Sequence, residues 1–179
     1  MEDTNLFYHE AAIYNNWYVL HVDHHKTDYF VRFVKRKLGN DYPIISFSRE
    51  LLHYKDKRYL VIEKPLFPGY LFVHKHPEKV LHLLKDNFKE IYAKIIRFEG
   101  EPAEVNVHEM RLLLALSDHT GKVGISKAYK EGEGIVITSG PLSNLKGEIR
   151  FIDKKKRKVN VSFPLLNTLM NVSLSYDLL

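Results

Sequence analysis

The sequence predicts an α+β N-terminal domain, an α/β sandwich of helices on an antiparallel sheet, joined by a polar linker to a small C-terminal β-barrel. Three observations predict it. Strand-like and helix-like periodicities alternate through the first 117 residues, residues 118–130 are polar and aperiodic, and four short strand-like runs follow in the remainder. The expected boundaries are 14–117 for the first domain, 118–130 for a flexible linker and 131–179 for the barrel.

The opening run Trp17-Tyr18-Val19-Leu20-His21-Val22 is aromatic and β-branched, the composition of a buried strand. Asp23 can cap a helix in which Phe30, Phe33, Val34 and Leu38 fall at helical spacing, while Lys26, Arg32, Lys35 and Arg36 lie elsewhere around the wheel. Gly39-Asn40-Asp41 ends it. Two β-rich stretches, 44–53 and 59–63, flank Lys55-Asp56-Lys57-Arg58 and predict a hairpin with a charged tip. Pro65-Leu66-Phe67-Pro68-Gly69-Tyr70 interrupts the pattern before a strand at 71–74. Pro77 then suits a helix's first turn, with Val80, Leu81 and Leu84 on one face. A further strand is expected at 92–98. Asn106 and Glu109 form a capping-box pattern ahead of Met110, Leu113 and Leu114. Beyond the linker, strands are expected at 135–138, 148–152, 159–163 and 170–174, separated by turn residues such as Gly140-Pro141 and Asn144.

With 45% hydrophobic and 27% charged residues, the 179-residue chain has the means to build a core. It contains no cysteine, which excludes disulfides, thiol catalysis and the usual structural zinc sites, and fits a reducing cytoplasm. The N-terminal MEDTNLFYHEAAIYNN is acidic and lacks an apolar core, so no signal peptide is expected. No apolar run approaches the ~20 residues of a membrane span. A cytoplasmic, soluble monomer without a membrane partner is therefore expected. The net charge of +5 is unevenly spread. Residues 118–179 hold ten Lys and Arg against six Asp and Glu, whereas 1–117 hold 17 against 16, so a polyanion is to be sought in the C-terminal third.

Enzyme chemistry has no foothold. A Gly-rich phosphate loop, an HExxH pair and a nucleophile elbow are all missing, and Gly132-x-Gly134 precedes a strand instead of following one. No cofactor is implied. His21-x-Asp23-His24-His25 invites a metal reading, but neighbouring histidines at a helix start should point apart. The other histidines are scattered, so no metal is expected.

Phe67-Pro68-Gly69-Tyr70 has one functional and one structural reading. Prolines and glycine fix an irregular backbone that can push aromatic rings outward as binding anchors, with Phe72 and His21 as neighbours; the same rings can instead close the core. Lys154-Lys155-Lys156-Arg157-Lys158, at an expected hairpin tip, either meets phosphate or is a solvated turn. Lys146, Arg150, Lys127 and Lys130 can join it. Lys26, Arg32 and Arg36, with His24 at the helix start, can face nucleic acid or merely solvent.

Two motifs carry a resemblance. Trp17-Tyr18-Val19-Leu20 followed by Pro65-Leu66-Phe67-Pro68-Gly69-Tyr70-Leu71-Phe72-Val73 resembles the N-terminal domain signature of the NusG family. Glu131-Gly132-Glu133-Gly134-Ile135-Val136-Ile137, with Ser139-Gly140-Pro141-Leu142 and Lys146-Gly147-Glu148-Ile149, resembles the KOW motif. Within the family, the segment from Val123 to Gly132 and the basic run look most like the specialised LoaP-type antitermination paralogs. The resemblance implies an NGN domain followed by an SH3-like KOW barrel. It also implies docking of the first domain on the clamp helices of the largest subunit of bacterial RNA polymerase, through Phe67, Tyr70, Phe72 and His21. The KOW domain is left free for a nascent RNA hairpin, with non-template DNA and a ribosomal protein as further partners. Pausing would be suppressed by differential binding to the active polymerase, with no bond made or broken. A general factor coupling polymerase to the ribosome or to Rho, and a ribosome-associated KOW protein, are the competing readings. The sequence departs from the family in two places. Leu81-His82-Leu83 stands where RfaH-like members carry His-Thr-Thr, and Leu165-Leu166-Asn167-Thr168 where many carry an aromatic-Gly-Arg turn.

Overall fold

The aromatic and β-branched run Trp17–Val22 forms the first strand, β1, with four of its six residues buried, two on each face. The structure is a computed structural model that describes residues 13–145 and 149–179, with the backbone alone for 144, 149 and 150. In chain order β1 is followed by α1 (Thr27–Leu38), β2 (Ile44–Ile45), β3 (Ser48–Lys55), β4 (Arg58–Pro65), β5 (Tyr70–His74) and α2 (Pro77–Asn87). Then come β6 (Ala93–Ile95), β7 (Arg97–Phe98), β8 (Glu101–Pro102), α3 (Val107–Leu116), β9 (Lys122–Val123) and β10 (Ser126–Glu131). The chain ends with β11 (Gly134–Ser139), a 3-10 turn (Pro141–Asn144), β12 (Ile149–Asp153), β13 (Lys158–Leu165) and β14 (Thr168–Leu178). The acidic N-terminal stretch, Lys146 and Glu148 lie outside the described residues.

Two compact units result. The first holds the described residues up to Ser46 and Phe67–Leu112; the second holds Phe47–Leu66 and Leu113–Leu179. The first unit is the expected α+β layer. Its sheet runs β2-β5-β1-β6, with β1 antiparallel to both neighbours and His21 opposite Tyr70 on one side and Lys94 on the other. Leu20, Val22, Leu71 and Val73 point to one face and pack with Phe30, Phe33 and Val34 of α1 and Val80 and Leu84 of α2. Each such side chain contributes roughly 1.5–3 kcal/mol by leaving water.

Helix starts follow the sequence in two cases of three. Pro77 opens α2, after Lys75 and His76 turn the backbone at φ 57° and 45°. Before α3 the capping box forms: Asn106 N–H donates to Glu109 Oε2 at 3.3 Å, and Asn106 Oδ1 accepts His108 N–H at 2.8 Å. Asp23, expected to cap α1, instead closes the turn before it. Its Oδ1 accepts His25 N–H at 3.0 Å, and the helix starts at Thr27 with no side-chain cap.

The β3–β4 hairpin forms as expected, on a two-residue turn whose Asp56 and Lys57 both have positive φ (50° and 62°), the geometry that matches strand twist. Its place differs from expectation. It belongs to the second unit, where β3 pairs in parallel with β9 and Leu52 N–H donates to Ser175 Oγ at 3.0 Å. Residues 118–130, read as a linker, contain β9 and all but the last residue of β10. Ser126 and Ala128 are buried and alternate with exposed Lys127 and Tyr129, a period too short to register between glycines and lysines. β10 pairs in parallel with β14 and antiparallel with β11, giving the order β11-β10-β14-β13-β12. Ala128, Val159, Val161, Phe163, Leu174 and Tyr176 fill this unit's interior. Gly140 is required by contact: a Cβ there would lie 2.8 Å from Ser126 Cα, and φ is +90°.

Candidate functional site

In the first unit the chain corner before β5 is held by its own backbone. Tyr70 N–H donates to the Phe67 carbonyl at 3.2 Å and Val22 N–H to the Gly69 carbonyl at 2.8 Å. Gly69 sits at φ +83°; a Cβ there would be 2.7 Å from the Val22 carbonyl oxygen and 3.0 Å from His21 Cδ2. Only glycine lets the imidazole lie against this corner.

A row of rings runs outward from the corner. Phe72 and Phe67 are 6.1 Å apart, Phe67 and Tyr70 6.3 Å, Tyr70 and His21 5.5 Å, and His21 and Tyr92 5.3 Å, the last two pairs edge to face. Burial falls along the row. Phe72 is 0% and Phe67 2% exposed, Tyr70 and His21 are half-buried, and Tyr92 is 49% exposed. This corrects the reading of Phe67 and Phe72 as outward anchors: both are core. Phe72 shares a strand face with Tyr70 but lies further along β5, and the Phe67–Tyr70 turn folds the Phe67 ring inward. Tyr92 Oη and His21 Nδ1 are hydrogen-bonded at 3.2 Å. Burial holds the imidazole below its ordinary pKa, and nearby Lys94, whose ammonium stands 5.7 Å from the Tyr92 ring, adds to this.

His24, Lys26, Arg32 and Arg36 are all exposed at or on α1. The His24 and His25 rings lie 3.8 Å apart and do not diverge as expected. Among the described residues no three His, Cys, Asp or Glu side chains gather to hold a metal.

In the second unit the basic run turns the chain from β12 to β13. Asp153 Oδ1 accepts Lys156 N–H at 2.9 Å and its carboxylate stands 3.8 Å from Lys156 Nζ. Lys154 Nζ donates to the Glu133 carbonyl. Arg157, at φ 51°, donates to Asp177 at 2.7 Å and lays its guanidinium 4.2 Å from the centre of the Tyr59 ring. Tyr59 Oη in turn donates to the Lys155 carbonyl at 3.2 Å. The run is thus no uniform cationic loop; Arg157 is pinned, while Lys155 and Lys158 make no ion pair among the described residues. Lys127 pairs with Asp177 at 3.5 Å and Lys130 is exposed. Lys146 lies outside the described residues, and so does the Arg150 side chain.

Residues 15–114, which include the ring row and its corner, match the family described as "Transcription termination factor nusG". The chain belongs to the NusG family. This is a family of transcription factors and not of enzymes. The transcription termination/antitermination protein NusG of Rickettsia typhi is 23% identical over 176 residues, covering 90% of this chain and 87% of that one. Its counterpart from Thermus thermophilus is 27% identical over 129 residues, covering 65% and 67%. A solved structure of NusG from Thermotoga maritima overlaps 92% of this chain and 95% of that one at 20% identity, with a TM-score of 0.48.

Three residues of this NusG-family chain escaped the sequence reading. Tyr92 lay in an expected strand with nothing to single it out; its meeting with His21 follows from the β1–β6 register. Tyr59 and Asp177 are 118 positions apart in sequence yet both engage Arg157, and no local pattern could pair them.

Proposed function

We propose that the protein is a processive antitermination factor of the LoaP type, acting in the bacterial cytoplasm. Its N-terminal unit binds the clamp helices of the largest subunit of RNA polymerase, and its C-terminal unit engages a nascent RNA hairpin. The observation that supports the first contact most directly is the ring row inside the family-matched segment. Half-buried Tyr70 and His21 and exposed Tyr92 offer amphipathic edges, backed by a rigid floor of Phe67 and Phe72. Rings held in place lose little entropy on binding, and such anchors are worth about 2 kcal/mol or more when truncated. Tighter binding to the transcribing than to the paused polymerase then shifts the population without chemistry. The exposed cations of α1 suit non-template DNA.

For the second unit, exposed Lys155 and its basic neighbours suit phosphate. The β13–β14 turn weighs against coupling to a ribosomal protein or to Rho. Leu166 and Asn167, at φ 50° and 61°, form a tight turn with neither the aromatic nor the arginine of the general factors. A pull-down of core RNA polymerase tests the docking: Tyr70→Ala/Tyr92→Ala should retain far less polymerase than wild type, and equal retention would refute the assignment. Gel shifts with structured leader RNA separate this specialist from a general factor, which should bind weakly and without preference.

A further inference from the structure

The Tyr59–Lys155 and Tyr59–Arg157 contacts fasten two basic segments that are some hundred positions apart in sequence. Tyr59 directly follows Arg58, and consecutive Cα atoms are about 3.8 Å apart, so the β3–β4 tip stands beside the β12–β13 turn. The tip carries Lys55, Lys57 and Arg58, all exposed, against the single carboxylate of Asp56. Two carboxylates at the turn are already engaged, Asp153 by Lys156 and Asp177 of β14 by Arg157 and Lys127. Lys155 and Lys158 remain without an acidic partner among the described residues. Beside the tip, the Tyr54 ring is 58% exposed and lies 5.0 Å from the Tyr59 ring.

We propose that the hairpin tip and the basic turn form one composite nucleic-acid surface, in which Lys55, Lys57, Arg58, Lys155 and Lys158 meet phosphates and Tyr54 stacks on an unpaired base. The proposal rests on the nucleic-acid reading of the basic turn and deepens it by naming a second, separate segment and the kind of ligand. Charges within a Debye length, about 8 Å at physiological salt, reinforce one another's potential, so two joined loops bind a polyanion better than either alone. An exposed ring flanked by cations suits a stem with an unstacked loop base, since every base offers a face for stacking. Arg157 is a positioning residue here: it is spent on Asp177 and Tyr59 and holds the two segments together.

The test uses the full chain and measures binding of an RNA stem–loop, a DNA stem–loop of the same sequence and a blunt RNA duplex at several salt concentrations. The tip variant Lys55→Gln/Lys57→Asn/Arg58→Gln places asparagine where φ is positive, so the turn is kept. It should weaken stem–loop binding on the order of tenfold and lower the salt slope by roughly 2, as loss of two or three phosphate contacts requires. Its melting temperature and its retention of core polymerase should match wild type. Tyr54→Ser should weaken stem–loop binding more than duplex binding. Preference for the RNA over the DNA stem–loop assigns the ligand to RNA; the reverse assigns it to DNA. If the tip variant binds as wild type does while Lys155→Gln/Lys158→Gln is impaired, the turn alone binds and the composite surface is overturned. If wild type shows no salt-dependent binding of any probe, the composite surface and the nucleic-acid role of the second unit fall together, and polymerase docking stands apart.

Discussion

The guanidinium of Arg157 lies 4.2 Å from the centre of the Tyr59 ring while donating to Asp177 at 2.7 Å. One side chain from the basic run thereby joins the β3–β4 hairpin to β14, and a residue that reads as one more surface cation becomes a structural clasp.

Arg157→Ala should therefore cost more stability than its lysine neighbours. The ion pair is partly screened, with the Arg157 side chain 23% and Asp177 39% exposed, so it contributes about 0.5–1 kcal/mol. The cation–ring contact adds a similar amount. Together these imply a loss of about 1–2 kcal/mol, a melting shift of several degrees, whereas Lys155→Ala should stay within about 0.5 kcal/mol. Paired thermal melts check this.

Core and edge of the ring row should separate experimentally. Phe72→Ala removes a wholly buried ring and should cost about 3–5 kcal/mol by urea titration. Tyr70→Ala should leave the melting temperature within a few degrees yet weaken polymerase retention by about tenfold or more. If both variants lose stability equally, Tyr70 is core and the docking edge disappears.

Gly69→Ala should damage the corner that His21 rests against. Its Cβ would meet the Val22 carbonyl oxygen at 2.7 Å in a backbone at φ +83°, a combination expected to cost at least about 1–2 kcal/mol. The amide signals of Val22 and Tyr70 should move most in a nuclear magnetic resonance spectrum.

The lowered pKa of His21 gives stability a pH dependence, which the proposed docking should share. The folded state holds its proton more weakly than the unfolded one, so the contribution is complete above the ordinary histidine value of about 6.5 and is lost as pH falls through the lower folded value. Polymerase retention by wild type should decline on acidification below that value. His21→Gln should flatten the decline, and an unchanged profile would remove His21 from the surface.

Asp118 offers a second test of the same sign, at more acid pH, within the stretch that reads as a linker. Its Oδ1 accepts Thr120 N–H at 2.8 Å, Thr120 Oγ1–H at 2.6 Å and Lys122 N–H at 3.1 Å, which hold its pKa at about 2. Stability from this exposed carboxylate is present above the ordinary value near 3.8 and fades as pH falls through about 2. Asp118→Ala should speed amide exchange at Thr120 and Lys122 at neutral pH, with a stability loss of about 1 kcal/mol.

The helices, the β3–β4 hairpin and most of the strands outside residues 118–131 were legible because each is written in local chemistry. The aromatic, β-branched composition of Trp17–Val22, helical spacing of Phe30, Phe33 and Val34, the Asn106–Glu109 capping box and the Asp56-Lys57 turn all act over a few residues. The Pro-Gly corner was likewise legible as a special place. Which of its rings faced out was not, since Phe67 and Tyr70 differ only in how a four-residue turn projects them.

What the sequence alone determined is thus the three helices and most of the strands, though not β9 and β10, together with the absence of cysteine chemistry and the location of basic charge. Tertiary structure decided the company these elements keep: β3 beside β9, Tyr92 beside His21, and Tyr59 and Asp177 around Arg157. The physical reason is that periodicity records only whether a side chain faces a core. Its partner across a sheet is chosen by register and by burial summed over the whole unit, and neither leaves a trace in the neighbouring residues.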